Sequence, residues 1–509
     1  MGKYVAKRLL AGLLSVAVAT LIVMSMVYGL LDRNLVFADD PVFSRQRHNA
    51  LQVYKMQQWE NFGYVDYIPF GEYAPGASLG DTPAQDSPET RALVEQFTAQ
   101  YTQNGYTVTR LNAVYRAGTR RSQDGGEPRL YAYRDVPLVK RLGSFITTLV
   151  TVDHIHAVDG IEEADRGLIF TLYDPAYGGE KFAPAVLGNG TYHRYLLYFD
   201  DQFPFVHQNF LTLRLGRSYS VNTGVDVVQT LTDPQGSYAY REVVYPTGIV
   251  ERSADRLHSA VYVAGSLQSG GSAVQARFNS DYTGVSTYKT GLSRLGYSFV
   301  IGILAAILSY LIAIPAATAM AMKKDGLLDR VGTAFIVFII AVPSLGYIFL
   351  FKALGGALGL PVTFDMENPG ITQYVLPVVS LALPGAASLM KRHRRYMVDQ
   401  LRGEYVRFAR AGGFSQWQIL YRHVVKNAAI PIVHGIPGSV LGALVGAIIT
   451  ERVYVVPGAG NLLTRAINQY DNGVIVGVTA FYASLGVLSA ILVDVLMAVV
   501  DPRIRLANK

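Results

Sequence analysis

Six long apolar stretches, separated by polar and charged segments, set the frame of this chain. They run approximately Leu9–Leu31, Leu295–Met322, Val331–Phe351, Tyr374–Leu389, Ile430–Ile449 and Val474–Val500. A helix needs ~20 mostly apolar residues to cross a bilayer core, and there it must satisfy its own backbone hydrogen bonds. Each stretch therefore reads as a transmembrane helix. The fourth is the shortest and carries Pro377 and Pro384; Pro315, Pro343 and Pro437 interrupt others, which a bundle of neighbouring helices tolerates. Val36 and Ala38 are spaced like a leader-cleavage site behind the first stretch. The apolar core of a leader, however, covers only about 7–15 residues, so this stretch is read as a retained span.

The pattern changes between the first two spans, where residues 32–294 are numerous enough for a domain. Ala92–Tyr101 spaces its apolar residues for one helix face. Tyr192–Phe199, Phe210–Leu215 and Ser259–Val263 read as strands, several bounded by Gly, Asn or Asp, and Gly118–Glu127 reads as an exposed loop. The expected architecture is an all-α polytopic membrane protein of six helices with a mixed α/β domain inserted between helices 1 and 2. Its divisions are 1–31, 32–294 and a five-helix core at 295–509, which contains a polar loop at 391–431.

Only 16% of the residues are charged, against about 25% in soluble chains. The net charge of +7 fits either nucleic-acid binding or the Lys/Arg load of cytoplasmic loops. Placement decides between them. Lys3, Lys7 and Arg8, then Lys323, Lys324 and Arg330, then Lys391, Arg392, Arg394 and Arg395, then Arg503, Arg505 and Lys509 all fall on one side of six crossings, whereas the other side holds Lys352, Arg452 and Arg465. Nucleic acid is not an expected partner; the lipid bilayer is. Both termini are expected in the cytoplasm and residues 32–294 outside. There is no cysteine, which excludes disulfides and thiol chemistry.

Catalytic signals are sparse. Asp153, His154 and His156 form an Asp-His-x-His cluster, but a strand would turn the aspartate away from the two histidines and no further metal ligands are evident. Asn189-Gly190-Thr191 matches a glycosylation pattern that is frequent by chance. No His-Glu-x-x-His occurs, and an enzyme is not expected.

The segment Glu404–Pro431 is the most informative. A first short helix should end near Ala411, where Gly412 and Gly413 permit positive φ. A second begins with Ser415 and Gln418 as a capping box, with Phe414 and Ile419 at the positions of a hydrophobic staple. Trp417, Leu420, Tyr421 and Val424 then follow the spacing of one apolar face. Such a helix–turn–helix could dock a partner or rest on lipid.

This segment resembles the EAA loop of ABC importer permeases, in the form used by the dipeptide and oligopeptide branch. Ala409-Arg410-Ala411-Gly412-Gly413 is similar to that branch's Ala-Arg-Ala-x-Gly, and Asn427-Ala428-Ala429-Ile430-Pro431 is similar to its Asn-Ala-x-Ile-Pro ending. Glu451–Gly460 with Leu462-Leu463 resembles the family's loop before the last span, and Leu492–Arg505 its C-terminal signature. The likeness is loose over Lys3–Leu31 and close over roughly Leu292–Arg505. The large insertion resembles an oligopeptide permease variant of Gram-positive bacteria, with Leu211–Ser220 similar to the short element that precedes the second span.

The resemblance implies a six-helix permease fold in a bacterial plasma membrane, with no cofactor in this chain. ATP and magnesium would be bound by two partner ATPase subunits, since no Gly-x-x-x-x-Gly-Lys-[Ser/Thr] occurs here. A second homologous permease subunit, an extracellular substrate-binding lipoprotein and a peptide substrate are the other implied partners. The coupling-loop residues carried over are Glu404, Arg407, Ala409, Arg410, Ala411, Gly412, Gly413, Ser415, Trp417, Asn427 and Pro431. Two polar residues are expected within the spans: Asp494, as a structural ion pair, and His434, buried in the bundle. The rival readings are an importer of nickel or another small solute, and a membrane-anchored surface receptor that uses the inserted domain.

Overall fold

The computed structural model describes residues 2–115, 125–152, 162–173, 182–191, 195–199, 206–239, 241–244, 250–253, 288–366 and 370–500. Helix α1 (Gly2–Leu30) carries no charged residue beyond Arg8. Asp32 then turns the chain out of it by accepting from the Asn34 amide at 2.9 Å.

The inserted region begins with α2 (His48–Asn61), β1 (Val65–Pro69), α3 (Pro88–Gln103), β2 (Thr107–Leu111) and β3 (Arg129–Asp135). The three strands form an antiparallel sheet in the order β1-β3-β2. Helix α3 contains the expected Ala92–Tyr101 helix; Ser87 caps it by accepting from the Thr90 amide. Its Phe97 packs among Phe70, Leu130 and Ala132, while Phe37, Trp59, Tyr64, Tyr67 and Tyr131 form a second core. Next come α4 (Leu138–Thr148), β4 (Val150–Val152), β5 (Gly167–Tyr173), β6 (Phe182–Asn189), β7 (Tyr195–Phe199), β8 (Val206–Gln208), β9 (Leu211–Leu213) and α5 (Val227–Thr232). Strands β5 to β8 make an antiparallel meander, and β4 pairs with β9. Strand β7 falls within the expected Tyr192–Phe199, of which residues 192–194 lie outside the described residues, and β9 is a shortened form of the expected Phe210–Leu215. The strand at Ser259–Val263, residues 118–124 of the expected loop and the Asp153/His154/His156 cluster lie outside the described residues.

The core follows as α6 (Arg294–Met322), α7 (Leu327–Ala341), α8 (Ser344–Ala357), α9 (Thr372–Leu401), α10 (Glu404–Ala411), α11 (Gln416–Ile419), a π-helical turn at Leu420–Val425, α12 (Lys426–His434), α13 (Ile436–Tyr454), α14 (Ala459–Asn468) and α15 (Asn472–Val500). Helices α6 and α9 run parallel and close, because buried alanines (Ala305, Ala313, Ala317, Ala382, Ala386 and Ala387) let their backbones approach. Ser309 Oγ donates to the Ala382 carbonyl at 2.8 Å, and farther along Thr318 meets His393 at 3.3 Å. Helices α1 and α15 run antiparallel: Arg8 pairs with Asp494 at 3.0 Å, and a side chain at Gly12 would collide with Val487.

Three span boundaries differ from expectation. The third span is not one helix but α7 and α8, bent by 108°. Pro343 contributes no N–H, and Val342 before it takes the extended conformation (φ −80°, ψ 129°) that such a position prefers. The two limbs still carry the chain from one end of the bundle to the other. Asp329 at the start of α7 accepts two hydrogen bonds from Arg394, at 2.5 and 2.6 Å, and Gly355 near the end of α8 lies against Leu376 at the start of α9. With this pair counted as one span, the described residues hold six spans long and apolar enough to cross a membrane. The fourth span continues unbroken through both prolines to Leu401, so Lys391–Arg395 belong to α9 rather than to the following loop. The fifth begins at Ile436, after a break at Gly435.

Candidate functional site

The loop that follows α9 is built from its own sequence. Helix α10 ends in a Schellman motif: Phe414 N donates to Ala409 O, Gly413 N donates to Arg410 O, and Gly413 takes φ +79°. The Ser415/Gln418 capping box then opens α11, with reciprocal bonds of 2.9 and 3.3 Å. Val406, Ile419, Leu420, Val424 and Ala428 pack into a cluster with Ala321 of α6 and Met397 of α9, so the loop is fastened to the bundle. The expectation of one apolar face over Trp417, Leu420, Tyr421 and Val424 is corrected. Leu420 and Val424 are buried, whereas Trp417 and Tyr421 point outward and stack on each other at 6.1 Å. The π turn adds a residue to the local repeat and splits a face that a uniform 3.6-residue period would unite. Phe408, Trp417 and Tyr421 are 75%, 62% and 66% exposed. Around them Glu404, Arg407, Arg410, Ala411, Gly412, Gly413, Ser415, Asn427 and Pro431 are exposed and Ala409 half-exposed.

A cavity of about 610 Å³ opens on the face of the bundle formed by α6, α8, α9 and α13. Hydroxyls line it (Ser309, Tyr310, Ser344, Tyr347, Ser380, Ser388, Ser439 and Thr450), together with the glycines Gly435, Gly438, Gly442 and Gly446. Among the described residues Arg392 and His434 are its basic ones, and no Asp or Glu lines it. The expectation that His434 is buried in the fifth span is corrected. It is exposed and lines the cavity instead, because the chain breaks at Gly435 and leaves it at the end of α12. Asp494 does form an ion pair, with Arg8.

Two fully buried carboxylates at the opposite end of the bundle escape the sequence reading. Glu451 accepts from Ser298 Oγ at 2.6 Å and from the Gly460 and Asn461 amides at 2.8 and 3.0 Å, while Ser298 Oγ accepts from the Ala459 amide. Gly458, at the cap of α14, has no side chain of its own, so Glu451 and Ser298 satisfy the orphan donors of that helix. Any side chain at Gly458 would meet the Glu451 carboxylate, and one at Gly460 would lie 2.5 Å from the Ile448 backbone. That steric limit explains the Pro-Gly-Ala-Gly run. A charged residue closing an apolar span just before that run is the available signal.

Asp471 caps α15 by accepting from the Val474 amide at 3.1 Å. It also accepts from Ser218 Oγ and from the amides of Tyr219, Ser220 and Val221, at 2.6 to 2.9 Å. One carboxylate thereby joins the last helix to the inserted region. Tyr219 stacks on Phe62 at 4.0 Å and meets the Tyr28 hydroxyl of α1 at 2.9 Å; Asn472 donates to Tyr64 Oη. Burial holds the Tyr219 phenol well above its ordinary pKa. Nothing in the local sequence marks Asp471, whose partners lie some 250 positions earlier.

A membrane-spanning helix bundle with a cavity open on one face, a fastened loop presenting aromatic side chains and no catalytic constellation among the described residues has the form of a multi-pass transport subunit. Residues 313–506 match the family described as "Binding-protein-dependent transport system inner membrane component". Over 516 aligned positions the chain is 32% identical to the oligopeptide transport system permease protein AmiC of Streptococcus pneumoniae (strain TIGR4), covering 100% of this chain and 99% of that one. The dipeptide transport system permease protein DppB of Bacillus subtilis is 29% identical over 213 residues, 42% of this chain and 68% of its own length. A crystal structure of an amino acid ABC transporter with histidines shares 16% identity and a TM-score of 0.33 over 40% of this chain; at that score it adds nothing to the assignment. The chain belongs to the binding-protein-dependent transport permeases, and its likeness to AmiC extends through the inserted region.

Proposed function

We propose that this chain is the permease subunit of an ATP-driven importer of oligopeptides, working by alternating access with a second homologous permease subunit. Two ATPase subunits bind ATP and magnesium, and an extracellular lipoprotein delivers the peptide. The termini and the Glu404–Pro431 loop face the cytoplasm of a bacterial cell; residues 32–294 face outward. Full-length likeness to an oligopeptide permease supports the substrate class, and the basic residues at the α9 end of the bundle support the orientation.

The observation that carries the reading is the loop. Phe408, Trp417 and Tyr421 are held exposed on a backbone locked by a Schellman motif, a capping box and a buried apolar root. Exposed apolar groups on a rigid element mark an interaction surface, and here it is the ATPase dock. Closure of the ATPases would push on a loop rooted in α6 and α9, two helices that line the cavity. Hydroxyls and glycines in that cavity suit a peptide backbone of varied sequence. The inserted domain, joined to α1 and α15, helps dock or gate the binding protein; intact uptake after deletion of residues 39–209 would overturn that part.

Affinity purification of the tagged chain from native membrane in mild detergent tests the whole. A second permease and ATPases should accompany it in stoichiometric amounts, and Gly413→Asp or Ala411→Glu should release the ATPases. A chain that purifies alone, or only with surface proteins, would contradict the reading.

A further inference from the structure

Helix α4 has two faces. Arg141, Ser144, Phe145 and Thr148 line a cavity of about 380 Å³ shared with Met24 and Tyr28 of α1, and the Arg141 guanidinium lies 4.1 Å from the centre of the Tyr28 ring. On the other side Val139, Leu142, Ile146 and Leu149 recur at helical spacing; none is buried, and Val139 is 80% exposed. The β4–β9 ribbon continues this surface. Its register sets Val150 opposite Leu213 and Val152 opposite Leu211, so the four share one face, and all four are exposed.

Depth relative to the membrane identifies what covers this surface. The uncharged part of α1 starts at Leu9, and Tyr28 lies 28 − 9 = 19 residues farther on, or about 29 Å at helical rise. The hydrocarbon core is ~30 Å thick. Tyr28, and with it α4, therefore lies at the boundary between acyl chains and headgroups, where a tyrosine ring is at home. At the same depth α1 exposes the apolar side chains of Met26 and Leu30.

We infer that Leu138–Val152 together with Leu211–Leu213 forms an interfacial foot that rests in the leaflet at this end of α1, with Val139, Ile146, Val150 and Leu213 among the acyl chains. This rests on α1 as a membrane span and is independent of what the protein transports. The foot fixes the height and tilt of the inserted domain over the bundle.

Because the chain lacks cysteine, single labels report cleanly. Val139→Cys and Ile146→Cys, each carrying an environment-sensitive fluorophore, would be compared with Thr102→Cys on α3 in the full chain reconstituted into phosphatidylcholine/phosphatidylglycerol vesicles. Labels at 139 and 146 should be blue-shifted and should lose emission to nitroxide lipids but not to aqueous iodide; the label at 102 should do the reverse. Phe145→Cys, on the face toward the α1 cavity, should lose less emission to nitroxide lipids than the labels at 139 and 146, which shows that the helix is folded in place. Three results overturn the inference: iodide quenching at 139 and 146 equal to that at 102, shielding of these labels that appears only when another protein is added, or lipid quenching at 145 equal to that at 139.

Discussion

The two ends of the bundle break the usual partition of side chains in opposite ways. At the α9 end, Phe408, Trp417 and Tyr421 are aromatic side chains left exposed. At the other end, Glu451 and Asp471 are carboxylates with no exposure at all. A buried charge is costly unless fully hydrogen-bonded, and each of these two is. Glu451 accepts from one hydroxyl and two amides where α14 begins, and Asp471 from one hydroxyl and four amides where α15 begins. The buried acids have partners inside the chain and hold it together. In the proposed function the exposed aromatics find theirs on the ATPase subunits. One end is therefore built for stability and the other for assembly, so substitutions at the two should separate folding from function.

The largest stability effect belongs to Asp471→Ala, which strands the amides of residues 219–221 in a buried site and detaches the inserted region from α15. We expect a loss of about 3–5 kcal/mol, read as a collapse in the yield of monodisperse detergent-solubilised protein. Near-normal yield and thermal midpoint would remove the contrast at this end. Glu451→Gln, which keeps the shape but loses the charge at the start of α14, should cost less, about 1–2 kcal/mol, and should lower the unfolding midpoint without loss of yield.

A smaller acid effect should come from the inserted domain. Arg110 holds Asp86 through two hydrogen bonds of 2.7 and 2.9 Å, and the Gly80 amide adds a third. The guanidinium keeps the Asp86 carboxyl below its ordinary value of 3.8. A depressed carboxyl pKa stabilises the fold in full above the ordinary value and loses that contribution as pH falls through the folded one. Stability should therefore decline below about pH 4, and Asp86→Asn should flatten this part of the profile in a titration of the unfolding midpoint. Gly413→Ala comes next: the left-handed turn it must adopt costs about 1 kcal/mol, and this should appear mainly as weakened ATPase retention.

The backbone of the loop is legible from neighbouring residues alone. Gly412-Gly413 as a helix stop and Ser415/Gln418 as a cap act over a few positions, so the turn there follows from short-range chemistry. The apolar stretches mark where the bundle lies for the same reason. What stays hidden is non-local or falls below helical periodicity. Pro343 marks where the third span breaks but not its angle of 108°, and the π turn separates Trp417 and Tyr421 from Leu420 and Val424. His434 moves from the bundle to the cavity wall because the chain breaks at Gly435. Asp471 is bound by amides some 250 positions away, which no local pattern can announce.

The smallest stability effect is also the most telling. Trp417→Ala removes a side chain that is 62% exposed, so the unfolding midpoint should shift by no more than about 0.5 kcal/mol in equivalent free energy. The decisive experiment is ATP-driven uptake of a labelled oligopeptide into vesicles holding the complete assembly, measured on that variant alongside its unfolding midpoint. We predict that uptake is lost while the midpoint stays at the wild-type value. Uptake at the wild-type rate, or a loss matched by a fall in the midpoint, would contradict the assignment of this surface as the ATPase dock.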